Sequence, residues 1–123
     1  MIHLDTNFLI SSLDPTTAEA QRLDNWTLAG EPVGISSVTW TEFLCGPVSS
    51  NEIRAATVYF PDPQAFLAQD SRVAAEWFNQ TGRRRGSLAD CMIAAVSYRL
   101  GARLATLNVA DFRLFVPLGL VLA

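Results

Sequence analysis

The stretch "GSLADCMIAAVSYRLGARLAT", residues 86–106, contains a helix, its stop and the strand that follows. Ser87 stands where a helix over residues 88–100 needs its N-cap, Gly101 ends that helix, and residues 103–106 read as a strand. Cys91, Met92, Ile93, Ala94, Ala95 and Val96 leave the helix apolar on every side, so it belongs inside a domain. A buried helix that passes through one glycine into an apolar strand is half of a βαβ unit, which argues for a parallel sheet.

The rest of the chain repeats that alternation. Residues 1–4 form a short apolar run, and Asp5-Thr6-Asn7 offers helix-starting side chains before Phe8-Leu9-Ile10. Asp14-Pro15 reads as a cap with proline at the first helical position, opening a helix to about residue 28 that Gly30 stops. Residues 33–36 read as a second strand. Ser36 or Ser37 caps a helix carrying Val38, Trp40, Glu42, Phe43 and Leu44, closed by Gly46-Pro47. Ser49 and Glu52 have capping-box spacing for a helix over residues 50–58, and Pro61-Asp62-Pro63 is a turn. Phe66, Val73, Ala74, Trp77 and Phe78 keep a helical period up to Gly82. Residues 83–86 are a basic loop, and residues 120–122 a last short strand. The expected fold class is α/β, a parallel sheet covered on both faces, in one domain over residues 1–123 without repeat or linker.

Composition narrows the function. The chain of 123 residues is 50% apolar and 17% charged, with a formal charge of −3. It has no lysine, so all nine basic residues are arginine and a global basic footprint for nucleic acid is missing. Cys45 and Cys91 sit in apolar helical segments and are expected to be buried free thiols in a reducing cytoplasm. No CxxC or Cys/His cluster suggests zinc. The N-terminus lacks a signal-peptide pattern, and the longest apolar run, residues 114–123, is interrupted by Pro117 and Gly119 and too short for a bilayer. A soluble cytoplasmic protein, without a membrane partner, is expected.

Four acids stand where apolar segments end or turn: Asp5, Glu42, Asp90 and Asp111. Each has a structural reading. Asp5 can be a helix N-cap, Glu42 part of a solvated face, Asp90 a capping-box acid three residues after Ser87, and Asp111 a turn cap. Together they describe an acidic pocket at the carboxyl ends of strands, where sites form in open α/β sheets. Two carboxylates about 4 Å apart repel by roughly 4 kcal/mol at an effective dielectric near 20. With no lysine to relieve it, such a pocket calls for Mg²⁺ or Mn²⁺, which take hard oxygen ligands and can activate water toward a phosphodiester. Asn108 can add a neutral carbonyl oxygen. His3, the sole histidine, lies inside the first strand and reads as structural, which leaves no Ser-His-Asp triad. Arg83, Arg84 and Arg85 precede the Asp90 helix closely enough to hold a nucleic-acid phosphate, or they are simply a solvated loop.

With "LDTNFLI", "SSVTWTEFLCG", "LADCMIAAVSYRLGARLAT" and "TLNVADF" in this order, the chain resembles the PIN-domain ribonucleases, in particular the VapC-like toxins of toxin–antitoxin pairs. The resemblance covers essentially the whole chain. It implies a three-layer α/β/α fold with a central parallel sheet and Mg²⁺- or Mn²⁺-dependent endonucleolytic cleavage of RNA, leaving a 5′ phosphate and a 3′ hydroxyl. It assigns Asp5, Glu42 and Asp90 as the principal catalytic acids and metal ligands. The fourth family position, often Asp, falls on Asn108, with Asp111 as the acid that follows. Thr6, Asn7, Thr106 and the loop Arg83, Arg84 and Arg85 are the expected substrate contacts. A homodimer and a cognate antitoxin are the expected partners.

Two other readings share parts of this pattern. Haloacid-dehalogenase-like phosphatases and response-regulator receivers need a lysine, and the former need an Asp at the position of Asn7. A catalytically inactive PIN-like interaction module, or an RNA-processing PIN nuclease that is not a toxin, keeps the same architecture.

Overall fold

The computed structural model describes residues 1–123. Its sheet has four parallel strands in the order β2-β1-β3-β4. Strand β1 (Ile2–Leu4) lies between β2 (Val33–Ile35) and β3 (Arg103–Ala105), and β4 (Val121–Leu122) closes the far edge. The chain moves from β1 to one side, then crosses back past β1 to β3. Strand order therefore reverses between β1 and β3, the position at whose carboxyl ends sites form in open α/β sheets.

Helices cover both faces. Ile2, Leu4, Ile35 and Ala105 pack against Phe8 and Leu9 of α1 (Thr6–Ser12), Leu23 of α2 (Ala18–Leu28), Phe43 of α3 (Ser37–Cys45) and Ala56 of α4 (Ser50–Tyr59). On the other face Leu104 packs with Ala74 and Trp77 of α5 (Ala68–Gln80), with Ile93, Ala94 and Ala95 of α6 (Leu88–Arg99), and with Phe112 and Phe115. The register explains the division, since alternate strand residues point to opposite faces. This is the α/β class with a central parallel sheet that the alternation of segments predicts. A four-residue α7 (Val109–Phe112) and a 3-10 helix (Arg113–Leu118) complete the chain. No helix is long and apolar enough to cross a membrane.

Several local expectations need correction. Asp14-Pro15 does not open α2. Asp14 accepts hydrogen bonds from the Thr16 N–H (2.9 Å) and hydroxyl (2.7 Å), which uses its carboxyl in a turn. The helix starts three residues later, where Thr17 Oγ1 accepts from Ala20 N–H at 3.1 Å. Ser87 does not cap α6 with its side chain either, because its hydroxyl donates backwards to the Arg84 carbonyl at 2.7 Å. Cys45 is exposed and only Cys91 is buried, although both are free thiols. The capping box at Ser49 and Glu52 forms as expected.

One interaction between the helices had no signature in the sequence. Asp70, 1% exposed, accepts from Arg99 Nε and from the Leu67 N–H, each at 2.8 Å. Arg99 also donates to the Ala65 carbonyl at 2.8 Å. Residues 65–67 are thereby tied to the end of α6.

Candidate active site

Asp5 is the residue after β1 and the N-cap of α1. It is 3% exposed. Its Oδ1 accepts from the Thr6 N–H at 2.7 Å, and its Oδ2 accepts from the Thr106 hydroxyl at 2.8 Å. Thr106 is the buried residue that follows β3, so the crevice between β1 and β3 is where the two strand ends join. Burial pushes the Asp5 carboxyl above its ordinary range. The two hydrogen bonds oppose that shift, and the charge of Glu42 adds to it.

Glu42 reaches the same crevice from α3. Its Oε1 accepts from the Thr6 hydroxyl at 2.6 Å, so Thr6 links Asp5 through its backbone and Glu42 through its side chain. The helix is seated by Thr39, a fully buried residue whose hydroxyl donates to the Leu4 carbonyl at 3.2 Å. Sequence reasoning missed Thr39. The available signal was its place one turn before Glu42, on the same face of α3.

Asp90 lies in the first turn of α6 and closes no capping box with Ser87. It is half-buried. Burial, followed by the charges of Asp5, Glu42 and Asp111, raises its carboxyl to about 6, while Arg84 pulls the other way. Acids from the end of β1, from α3 and from α7 thus lie near enough to Asp90 on α6 for their charges to act on it.

Asp111 lies in the first turn of α7, and its Oδ1 accepts from Arg84 Nη1 at 3.3 Å. Asn108 is exposed at the N-cap of α7 without a side-chain capping bond. Asn7 is exposed on α1. The three loop arginines are treated differently by the fold. Arg83 donates to Asn79 at 2.9 Å and lies over the Phe78 ring, Arg84 turns toward Asp111, and Arg85 is exposed. The structure thus joins Asp5, Thr6, Glu42 and Thr106 by hydrogen bonds and Arg84 to Asp111, with Asp90 within reach of the charges of both groups. Thr6 and Thr106 bond to carboxylates there.

His3 stays apart from this chemistry. It is 1% exposed, and burial, then Arg99, then the N-terminal ammonium lower its imidazole to about 4.

No three acids close into a cage as they stand. The donor set nevertheless suits a hard divalent cation. It consists of anionic oxygens, of which Asp5 and Asp90 are held above their ordinary range by burial and by neighbouring carboxylates, with a single guanidinium beside Asp111. Mg²⁺ characteristically binds through one or two carboxylates and retains several waters, which an open set of this kind permits.

The PIN domain family profile matches residues 2–113 of the chain. Among solved structures the chain is similar to VapBC2 from Rickettsia felis, solved bound to a promoter DNA fragment. The TM-score is 0.80 at 20% identity, over 100% of this chain and 98% of that one. FitAcB from Neisseria gonorrhoeae gives a TM-score of 0.75 at 21% identity, covering 100% and 97%. A toxin–antitoxin complex from Klebsiella pneumoniae gives 0.72 at 23% identity, covering 91% and 90%. At these identities the likeness is one of fold. None of the curated proteins matches the chain.

Proposed function

This chain belongs to the PIN-domain family, and on that premise we propose that it is a divalent-metal-dependent endoribonuclease, the toxin of a toxin–antitoxin pair. One observation carries the reading. Asp5, Glu42 and Asp90 come from three separate elements, and burial followed by the charges of Asp5, Glu42 and Asp111 raises the Asp90 carboxyl to about 6.

Asp5, Glu42 and Asp90, with the side-chain oxygen of Asn108, are the residues that would hold Mg²⁺ or Mn²⁺. The bound cation would supply charge neutralisation at the phosphate and make water a better nucleophile at neutral pH. The protein's own groups do the positioning. Thr6 fixes Asp5 and Glu42 relative to each other, and Thr106 fixes the second oxygen of Asp5. A water oxygen bonds to phosphorus, the P–O3′ bond breaks, and the 3′ oxygen takes up a proton. Asp111, bonded to Arg84 and not among the residues that would hold the cation, is the acid left to take the proton that the attacking water gives up. The loop at Arg83, Arg84 and Arg85, with Asn7, is the part of the cleft mouth suited to RNA phosphates.

An acidic cleft on a chain of net charge −3 is complementary to a basic segment, which is the expected chemistry of the antitoxin's inhibitory region. The structural relatives include toxin–antitoxin complexes, which supports that partner. A homodimer in the cytoplasm completes the proposal.

The test is cleavage of a broad panel of structured RNAs by the purified chain, free of any antitoxin. Cleavage with Mn²⁺ or Mg²⁺, lost with EDTA and in Asp5→Asn, is the expected result. A wild-type chain inert toward every RNA in the presence of metal would leave an interaction module as the better description.

A further inference from the structure

Arg84 is the only cation bonded to a carboxylate of the cleft, and most of its hydrogen-bonding capacity is unused. Its Nη1 donates to Asp111 at a long 3.3 Å, while Nε and Nη2 are buried without any partner. Those two nitrogens form the edge of a guanidinium that binds two oxygens at once. Buried charged donors without partners are unfavourable, and native structures rarely keep them without a reason. The side chain is 34% exposed, so it can turn that edge outward for the loss of one long bond.

The backbone at this point is well fixed. The Arg84 carbonyl accepts from both the N–H (3.1 Å) and the hydroxyl (2.7 Å) of Ser87. The flanking loop passes through positive φ at Gly82, Arg83 and Gly86, which turns residue 84 back toward α6 and α7. Neither neighbouring arginine shares this placement: Arg83 is held on α5 and Arg85 is exposed.

The two sides of the cleft also differ in charge. Asp5 and Glu42 have only hydroxyl and amide donors as partners. The α7 side holds the neutral Asn108 and an Asp111 already paired with a guanidinium. That side has less negative charge to offer a second divalent ion.

Resting on the nuclease reading above, we infer that Arg84 is the built-in second cation of this site. It takes the place of a second metal ion on the α7 side and holds a non-bridging oxygen pair of the RNA phosphodiester. A guanidinium carried on this fixed backbone and partly shielded from water stabilises the extra charge of an in-line displacement as an ion would.

Three measurements decide it. Titration of the metal-free chain with Mn²⁺, followed by calorimetry, is expected to give one ion per chain, and two ions per chain overturn the inference. Binding of a short single-stranded RNA in EDTA is expected to lose about one phosphate contact's worth of salt dependence in Arg84→Gln, a change in slope of roughly 0.7. Cleavage by Arg84→Gln is expected to fall about 100-fold, mainly in kcat, with Arg84→Lys between the two because a lysine keeps the charge and loses the fork. Circular dichroism checks that both variants fold. If the wild type cleaves RNA while Arg84→Gln keeps its kcat and its salt slope, Arg84 has no such role and the nuclease reading stands. A wild type that neither binds Mn²⁺ nor cleaves RNA overturns both.

Discussion

Thr106 donates its hydroxyl hydrogen to Asp5 Oδ2 at 2.8 Å, joining residues 101 positions apart at the ends of adjacent strands. The bond holds one orientation of a buried carboxylate and opposes the rise in its proton affinity. Thr106→Val keeps the shape and removes the donor. It is expected to cost about 1–2 kcal/mol of stability and 10- to 100-fold in activity or metal affinity, whereas Thr106→Ser should retain most of both. Thermal melts alongside cleavage rates check this, and a Val variant with wild-type turnover would remove the clamp from the mechanism.

Asp90 sets a pH dependence in the metal-free chain. It keeps its proton up to about pH 6 when folded and releases it near 3.8 when unfolded. Between those values the folded state binds more protons, so stability falls as pH rises through that window. Burial of Asp5 acts in the same direction. Asp90→Asn should flatten the slope and add about 1 kcal/mol above pH 6, a figure reduced for the partial exposure of the group, with no gain near pH 4. Urea titrations in EDTA from pH 4 to 7 measure it. Parallel profiles for the two proteins would mean that Asp90 is not under electrostatic stress.

Metal should relieve the same stress. Adding Mg²⁺ or Mn²⁺ at pH 7 is expected to raise the Tm of the wild type with ion concentration, the added stability reaching about 2.7 kcal/mol at 100 times Kd. The gain should shrink below pH 5, where protons compete, and should be smaller in Asp90→Asn. Differential scanning fluorimetry reads this without any RNA, and a Tm indifferent to both ions argues against a cation site.

The Asp70–Arg99 pair predicts a large structural effect far from the cleft. Asp70→Ala leaves the Leu67 N–H without its partner and Arg99 with only the Ala65 carbonyl. A loss of about 3–5 kcal/mol is expected. The double variant Asp70→Ala/Arg99→Ala should cost less than the two single losses added together, and strict additivity in denaturant melts would disprove the coupling.

Gly119 sits at φ 119° after the 3-10 helix, and a Cβ there would lie 2.8 Å from Tyr98 Cε2. Gly119→Ala should therefore destabilise the β4 end by about 1–2 kcal/mol, through backbone strain and displacement of the Tyr98 ring. An unchanged melting profile would show that the turn tolerates a side chain.

Much of this architecture could be read before any coordinates. The alternation of apolar runs with capped helical segments specified a parallel sheet. The uniformly apolar 91–96 segment specified a helix pressed against it, as the burial of Ile93, Ala94, Ala95 and Val96 confirms. Helix starts were legible where the capping side chain turns forward onto its own helix, as Asp5, Ser36 and Ser49 do. Asp14 is instead diverted to Thr16, and Ser87 to the Arg84 carbonyl. Asp70 and Thr106 illustrate a different limit. Their partners lie 29 and 101 residues away, and no local pattern encodes which distant donor a buried carboxylate or hydroxyl will meet. At the cleft, the four acids could be selected because carboxyls at segment ends are conspicuous among apolar neighbours. The inward turn of Arg84, against the outward course of Arg83 and Arg85, depends on positive-φ loop geometry that the run of three arginines does not reveal.

The N-cap bond from Thr6 to Asp5 gives position 5 a second duty, at the start of α1. Copies of this gene released from selection for cleavage would still need a short acceptor there, so Asn, Ser or Thr should accumulate at residue 5 in silent paralogues. Residue 90 carries no such architectural obligation and should drift freely toward apolar side chains. How these two sites diverge would then separate an acid kept for the fold from one kept for the site.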